Sequence, residues 1–297
     1  MQIKRSWQRV DGVLLLDKPS GMTSNSALQA ARRLFSAAKA GHTGTLDPLA
    51  TGLLPLCFGE ATKFSADLLE ADKTYEADLL FGLTTDTGDA EGEVLKRRPV
   101  TFVREELEAV LARFRGPIRQ IPPMYSALKR DGKPLYELAR QGIEVEREAR
   151  QVCIHELSLL DLQGDRCRLR VSCSKGTYIR TLAEDVGEAL GCGAHLTALR
   201  RTVVGALQIS DAVTLDQLSA LSDEQRTAWL KAPDALLQSL PEVSLDEEAA
   251  TRFLHGNPVR APAVPGRVRV YGLGRLLGLA EADTEGLVQP RRLVCAP

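Results

Sequence analysis

Residues 41–63 read GHTGTLDPLATGLLPLCFGEATK, a run rich in glycine and threonine that surrounds Asp47. Asp-Pro is common turn chemistry, in which the carboxylate accepts hydrogen bonds from nearby amides. Gly44 and Gly52 allow backbone conformations or close approaches that larger residues resist. Residues 41–59 show no clean hydrophobic period and little of the compositional bias of disorder, so we predict an ordered loop. Loops of this length inside a globular chain are usually functional.

Hydrophobic patterning before this run predicts a strand followed by a helix. Residues 12–17 form an apolar run between Gly12 and Asp17, which is typical of a buried strand. Either Thr23 or Ser24 can cap the helix. One face of that helix is apolar and consists of Leu28, Ala31, Leu34 and Phe35.

The rest of the chain mixes strands and helices without βαβ regularity, which favours an α+β fold. The predicted strands lie at residues 75–81 and, as a hairpin, at 151–161 and 166–174. The predicted helices lie at residues 107–114, 135–141 and 179–190, and residues 84–92 form a polar loop. Capping boxes at Thr214–Gln217 and Ser244–Glu247 begin two further helices.

Length and composition predict two domains. A chain of 297 residues exceeds the size of most single cores, and 44% apolar and 26% charged residues are ordinary for a globular protein. Beyond Gly256 the sequence consists of short apolar runs broken by glycine and proline, typical of a small all-β module. We therefore expect a main domain over residues 1–242 and a second domain over 243–297.

Charge and cysteine usage restrict the function classes. The net charge of -1 gives no global field for nucleic acid, although basic residues cluster locally, for example at Arg200-Arg201. Six cysteines without a CxxC pair and four histidines provide no zinc spacing, so we expect no metal site and a reducing compartment. Residues 1–10 are charged and precede only a short apolar run, which predicts a cytoplasmic protein without signal peptide or membrane span.

Several segments together resemble the TruB family, the bacterial tRNA pseudouridine-55 synthases. The matching motifs are residues 41–63, KTYEADLLFGLTTDTGDAEG (73–92), CSKGTYIRTLAEDVGEALG (173–191), AHLTALRR (194–201) and the opening LLLDKPSGMTS (14–24). The resemblance covers residues 12–203 almost continuously, with no departure at a motif position. Residues 272–294 resemble the family's C-terminal PUA-type module. The resemblance implies a central mixed, mostly antiparallel sheet flanked by helices and loops, plus a small PUA-like β module.

The resemblance also implies the chemistry. Pseudouridine synthases break an N-glycosidic bond, turn the detached uracil and join the sugar to C5. Asp47 corresponds to the catalytic carboxylate, acting as nucleophile, base or stabiliser of positive charge on the sugar. Arg180 corresponds to the arginine that pairs with it and keeps it ionised. Tyr75 corresponds to the aromatic residue that stacks on the uracil, and its phenol is a candidate for removing the C5 proton.

Further positions carry implied binding roles. Leu199 matches the apolar residue on the other face of the base, and Tyr178 an aromatic residue against the flipped nucleotide. His42 matches the residue that fills the space of the flipped base. Asp89 matches a partner of the catalytic arginine, although an aspartate that caps its own loop explains it equally well. The positions expected to contact phosphate are Lys18, Lys63 and Lys129.

The implied substrate is uridine 55 in the T loop of tRNA. We expect no cofactor, because the detached uracil itself is re-added, no obligate protein partner, and a monomer. Three alternatives remain open: an RNA-guided relative acting on ribosomal RNA, a non-catalytic RNA-binding or folding protein, and a hydrolytic glycosidase. A glycosidase needs a second carboxylate, and the other acid within residues 41–63, Glu60, is not placed at the site by the resemblance, so the isomerase is favoured.

Overall fold

The computed structural model describes residues 6–295, so the predicted absence of a targeting signal at residues 1–10 lies partly outside the described residues. The strands are β1 Gly12–Lys18, β2 Ala40–His42, β3 Thr51–Phe58, β4 Lys73–Phe81, β5 Leu83–Thr85, β6 Val94–Arg97, β7 Gly116–Gln120, β8 Lys129–Arg130, β9 Lys133–Pro134, β10 Arg150–Gln163, β11 Arg166–Cys173, β12 Ala194–Val204, β13 Leu207–Gln208, β14 Leu230–Lys231, β15 Glu242–Ser244, β16 Val259–Arg260, β17 Gly266–Gly272, β18 Arg275–Ala282 and β19 Leu287–Leu293. The α-helices are α1 Ser24–Leu34, α2 Ser65–Leu69, α3 Arg104–Arg113, α4 Leu135–Arg140, α5 Ile179–Ala189, α6 Leu215–Ala220, α7 Asp223–Thr227 and α8 Glu247–Leu254. Short 3-10 helices occur at Gly59–Phe64, Ile209–Asp211 and Pro233–Leu236.

A mixed, mostly antiparallel sheet forms the centre of the molecule. Its strand order is β14-β1-β3-β12-β4-β11-β10-β7, with β2 added to β3 and β13 to β12. The pairing of β12 with β3 is parallel, whereas β12 pairs antiparallel with β4. Helices and loops flank this sheet, which confirms the predicted α+β class.

The apolar run of β1 is buried on both faces of the central sheet. Leu14 and Leu16 belong to the core that also contains side chains of α1 and α5. Val13 and Leu15 belong to the core of the opposite face, which includes residues of β18 in the C-terminal sheet. Because successive side chains of a strand point to opposite faces, a strand covered on both sides requires an uninterrupted apolar run.

The C-terminal strands form a second, five-stranded sheet in the order β15-β17-β18-β19-β16. Helix α8 packs on it, and its Phe253 shares a core with Val243, Val268 and Val288. The predicted small β module is therefore confirmed, together with the helix predicted near its start.

The predicted loop over residues 41–59 is only partly correct. Strand β3 occupies Thr51–Phe58 and β2 ends at His42, so within this range only residues 43–50 and Gly59 lie outside the strands. From Gly52 onwards β3 is buried, so it lacks the alternation by which a half-exposed strand is predicted. Likewise, the predicted loop at 84–92 begins inside β5, which pairs with β6 around a loop of residues 86–93.

The prediction that Ser244 caps α8 is wrong. Ser244 lies in β15, and Asp246 is the N-cap, where its Oδ1 accepts a hydrogen bond of 2.8 Å from the Ala249 amide. Two cap predictions are confirmed: Thr214 forms a capping box with Gln217, and Thr23 Oγ1 accepts from the Ser26 amide. The helix and hairpin predictions at 107–114, 135–141, 151–174 and 179–190 are also confirmed within one or two residues at most ends.

The six cysteines are free, and four of them are buried. No helix within residues 6–295 has the length and apolar character needed to cross a membrane.

Candidate active site

Five of the predicted site residues line one pocket of about 360 Å³. It lies where the loop after β2, strands β4 and β12 and the start of α5 meet. Its lining includes Asp47, Tyr75, Tyr178, Arg180 and Leu199. Five positions that are distant in the sequence therefore form one surface.

A carboxylate and a guanidinium face each other in this pocket. Arg180 Nε lies 3.0 Å from Asp47 Oδ2 and 3.8 Å from Asp89 Oδ2. Arg180 Nη1 donates to Thr87 O (2.9 Å) and Nη2 to Tyr125 O (2.7 Å). Both terminal nitrogens are fixed by backbone carbonyls, so the remaining Nε–H is directed at the carboxylates.

Burial and the arginine act in opposite directions on Asp47. Burial raises the pKa of the carboxyl, and the nearby Arg180 guanidinium opposes that rise; Asp89 raises the pKa further and Lys18 lowers it. The Asp47 side chain still keeps 40% of its surface exposed at the mouth of the pocket. A carboxylate with a fixed cation behind it and an open front can act on a sugar placed in the pocket.

Hydrogen bonds to α1 and within a turn fix the loop that carries Asp47. Ser24, at the start of α1, exchanges two hydrogen bonds with Leu46: its hydroxyl donates to the carbonyl (3.0 Å) and accepts from the amide (2.7 Å). Asp47 O accepts from the Ala50 amide at 3.1 Å, which closes a turn. Gly44 has φ +88°, a conformation that glycine adopts without strain.

Tyr75 and Leu199 line the pocket from adjacent strands. Tyr75 lies in β4 and Leu199 in the adjacent β12, where Leu199 pairs with Ala77. Burial raises the pKa of the Tyr75 phenol, while the positive charge of Arg201 opposes this. The two side chains suit a planar apolar ring.

Tyr178 is fixed by a glutamine that the sequence did not single out. Gln120 Oε1 accepts from the Tyr178 amide (3.0 Å), and Gln120 Nε2 donates to the Tyr178 carbonyl (3.3 Å). Gln120 is 2% exposed. This paired contact fixes the residue just before α5 and therefore the direction in which Arg180 leaves the helix.

Comparison with known proteins identifies the family. The model "TruB family pseudouridylate synthase (N terminal domain)" matches residues 32–179. The "tRNA pseudouridylate synthase B C-terminal domain" matches 180–242, and "Pseudouridine synthase II TruB, C-terminal" matches 241–294. The chain belongs to the TruB family of pseudouridylate synthases. It is thus an isomerase, as the sequence resemblance predicted.

TruB-family relatives match over nearly the whole chain. A protein of Dechloromonas aromatica named tRNA pseudouridine synthase B is 65% identical, covering 99% of both chains. One of Burkholderia lata with the same name is 63% identical, covering 96% of this chain and 90% of its own. Among solved structures, a Cbf5-Nop10-Gar1 complex matches with a TM-score of 0.73 and 26% identity, covering 95% of this chain and 84% of that chain. The predicted pseudouridine synthase fold is confirmed.

His42 and Asp89 are not among the residues that line the TruB pocket. His42 is the last residue of β2, and its Nδ1 is buried without a hydrogen-bond partner. Burial lowers the pKa of His42, and the charge of Arg201 lowers it further. Asp89 is 4% exposed. Its Oδ1 accepts from Thr87 Oγ1 (2.6 Å) and the Glu91 amide (3.1 Å), while Oδ2 faces Arg180. Asp89 is therefore both a loop cap and a partner of the arginine.

The three lysines expected at phosphate lie in different environments. Lys18 is fully buried, and its ammonium donates to the carbonyls of Pro19, Met22 and Pro48. Burial lowers the pKa of Lys18 to about 8. Lys63 lies away from the pocket, where it donates to Glu60 and to Leu293 O in the C-terminal sheet. Lys129 is exposed in the β8–β9 hairpin.

Two cations of the TruB pocket were not predicted. Arg201 is 1% exposed and Lys73 is 8% exposed, and both line the pocket beside Tyr75. In the sequence, Arg200-Arg201 has the form of a solvated basic pair. Only the register of β12 shows that Arg201 is internal, whereas Arg200 forms an ion pair with Asp17 (2.7 Å).

Within residues 6–295 the structure contains no group of three or more His, Cys, Asp or Glu side chains suited to a metal ion.

Proposed function

We propose that this chain converts uridine 55 in the T loop of tRNA to pseudouridine, with Asp47 as the catalytic carboxylate. The observation that supports this most is the contact between Arg180 and Asp47 at the open end of a pocket lined by Tyr75 and Leu199. The relatives named tRNA pseudouridine synthase B support tRNA as the substrate.

Each residue of the pocket has its own role in the proposed reaction. The uracil enters between Tyr75 and Leu199, and stacking leaves it free to rotate in its plane. Asp47, ionised against Arg180, contacts the sugar as nucleophile, base or stabiliser of positive charge. Tyr178 packs against the nucleotide, and Asp89 keeps the arginine in place.

Access to this pocket requires that the nucleotide leave its stack, since a uridine within a folded loop is otherwise out of reach. His42 fills the vacated space. A lowered pKa favours its neutral imidazole, which suits stacking against the neighbouring bases better than a charged ring does. Lys129 contacts phosphate from its exposed hairpin, next to Arg130.

The overall organisation follows the same proposal. Residues 1–242 form the catalytic domain and 243–297 a PUA-like module that contacts another part of the tRNA. The enzyme works in the cytoplasm as a monomer, without an obligate protein partner or cofactor. Dialysis against a chelator tests the last point: activity that disappears and returns only with added metal would contradict it.

A tritium-release assay tests the main proposal. Unmodified tRNA transcript labelled at uracil C5 is incubated with the wild-type enzyme and with Asp47→Asn, and tRNA binding is measured in parallel. Release by the wild type alone, with binding intact in the variant, is the expected result. Equal release by both would exclude Asp47 as the catalytic group, and release from a transcript with cytidine at position 55 would exclude that position as the sole target.

A further inference from the structure

Arg201 is a buried charge for which the reaction as proposed gives no use. It lies in β12 directly opposite Tyr75 of β4, and its backbone is also in register with Gly52 of β3. Only 1% of the residue is exposed. A buried guanidinium needs hydrogen-bond acceptors for its five N–H groups, so its partners indicate its purpose.

The hydrogen-bond partners of Arg201 lie in β3 and in the loop that carries Asp47. Nε donates to Leu53 O at 2.8 Å, and Nη2 lies 3.4 Å from Gly44 O in that loop. Arg201 also pairs directly with Tyr75 across β12 and β4, and both residues line the same pocket. Because directly opposite residues of antiparallel strands are neighbours, the positive charge of Arg201 lies beside the Tyr75 side chain.

A second cation, Lys73, lines the same pocket as Tyr75. Lys73 lies two residues earlier on β4, on the same side of the strand, and its ammonium donates to the carbonyls of Leu69 and Ala71. Burial raises the pKa of the Tyr75 phenol, and Arg201 is the largest influence that lowers it. An arginine directly opposite Tyr75 favours the phenolate through its positive charge.

We propose that Arg201 is a positioning residue that prepares Tyr75 to remove the C5 proton of the rearranged uracil. This inference rests on the proposed function. The Tyr75 phenol first loses its proton to solvent. Once the sugar carbon has joined C5, the phenolate oxygen takes the C5 proton. The electron pair of the C5–H bond re-forms the C5=C6 double bond, and Tyr75 ends as a neutral phenol.

Single-turnover rates on tRNA transcripts carrying hydrogen or deuterium at uracil C5 test this role. The rates are measured between about pH 6 and 9, below the usual phenol pKa of about 10. The variants are Arg201→Met, which removes the charge, and Arg201→Lys, which retains it. Arg200→Met is the matched control, because the adjacent arginine is 41% exposed and paired with Asp17.

Arg201→Met should be about 10- to 100-fold slower near neutral pH, the range of a lost general-base contribution. The rise of its rate with pH should occur at higher pH than in the wild type. Its C5 isotope effect should be larger than that of the wild type. Arg201→Lys should recover part of the rate and lie between the two in its pH profile, while Arg200→Met matches the wild type.

A slow Arg201→Met enzyme with the isotope effect and pH profile of the wild type would overturn the proposal, since Arg201 would then only support the Asp47 loop. If Arg201→Met does not fold, Arg201→Lys decides by the same readouts: an unchanged isotope effect and pH profile overturn the proposal. Absence of conversion by the wild type would instead contradict the proposed function.

Discussion

Arg180 Nε lies 3.0 Å from Asp47 Oδ2, and the two side chains differ sharply in exposure: 7% for the arginine and 40% for the aspartate. The pair is closed at its cationic end and open at its anionic end. A nucleotide that covers the pocket removes water from the carboxylate, and the attraction between the two charges strengthens as the local dielectric falls. Substrate binding therefore strengthens the interaction that keeps Asp47 ionised.

Arg180→Lys should retain the charge but lose the geometry. A lysine cannot donate at once to Asp47, Thr87 O and Tyr125 O in the fixed arrangement of a guanidinium. We expect kcat to fall about 100- to 1000-fold with a small change in KM, comparable to the loss of one preorganised donor. Steady-state kinetics on tRNA transcript measure this. Arg168→Lys, at an exposed pair with Asp78, is the control. A kcat within a few-fold of wild type for Arg180→Lys would contradict the role given to the guanidinium.

Gly52→Ala should destabilise the protein at the junction of β3 and β12. Gly52 has φ +100°, and a Cβ there would lie 2.3 Å from Arg201 O. Strain and a clash with backbone should lower the free energy of unfolding by about 2–4 kcal/mol. Urea denaturation measures the change. Gly41→Ala is the matched control, because nothing lies within 4 Å of its added Cβ. Equal stability of the two variants would show that β12 shifts to accept the methyl group.

Gln120→Leu should remove the paired contact to Tyr178. The Tyr178 amide loses its partner next to a buried apolar side chain, whereas the carbonyl keeps the hydrogen bond from the Leu182 amide. An unsatisfied buried amide costs about 1–3 kcal/mol, so we expect both lower stability and a lower kcat. Gln151→Leu, exposed on the neighbouring β10, serves as the control in the same denaturation and rate measurements. A variant with reduced stability but full kcat would mean that Gln120 does not position α5.

Glu184 should make stability depend on pH. Burial, with a further contribution from Asp185, raises the pKa of Glu184 from 4.5 to about 7. Between these values the folded protein keeps a proton that the unfolded chain releases, so the free energy of unfolding falls as pH rises through this window.

Glu184→Gln should reduce that fall, by on the order of 1 kcal/mol between about pH 5 and 8. Part of the dependence remains, because burial also raises the pKa of Asp185 to about 6. Urea unfolding at the two pH values measures it, with Glu105→Gln on the exposed face of α3 as control. An identical fall in Glu184→Gln and wild type would contradict the shifted pKa.

Local sequence patterns determined most of the elements of this protein. The apolar run of β1, the cap at Thr23 and the hairpin β10–β11 follow from rules that act over a few residues. The motifs around residues 41–63 and 173–191 also identified the family and singled out Asp47 and Arg180. Strand β3 was largely missed because burial on both faces removes the alternation that indicates a strand.

Only the tertiary structure decided which charged groups are internal. Lys18 and Arg201 have the sequence context of surface residues, yet both are buried and bound by backbone carbonyls. Asp89 both caps its loop and contacts Arg180. The physical reason is that burial of a charge depends on acceptors supplied by distant segments, and strand register alone brings Leu53 and Tyr75 to Arg201. A local pattern carries no information about that register.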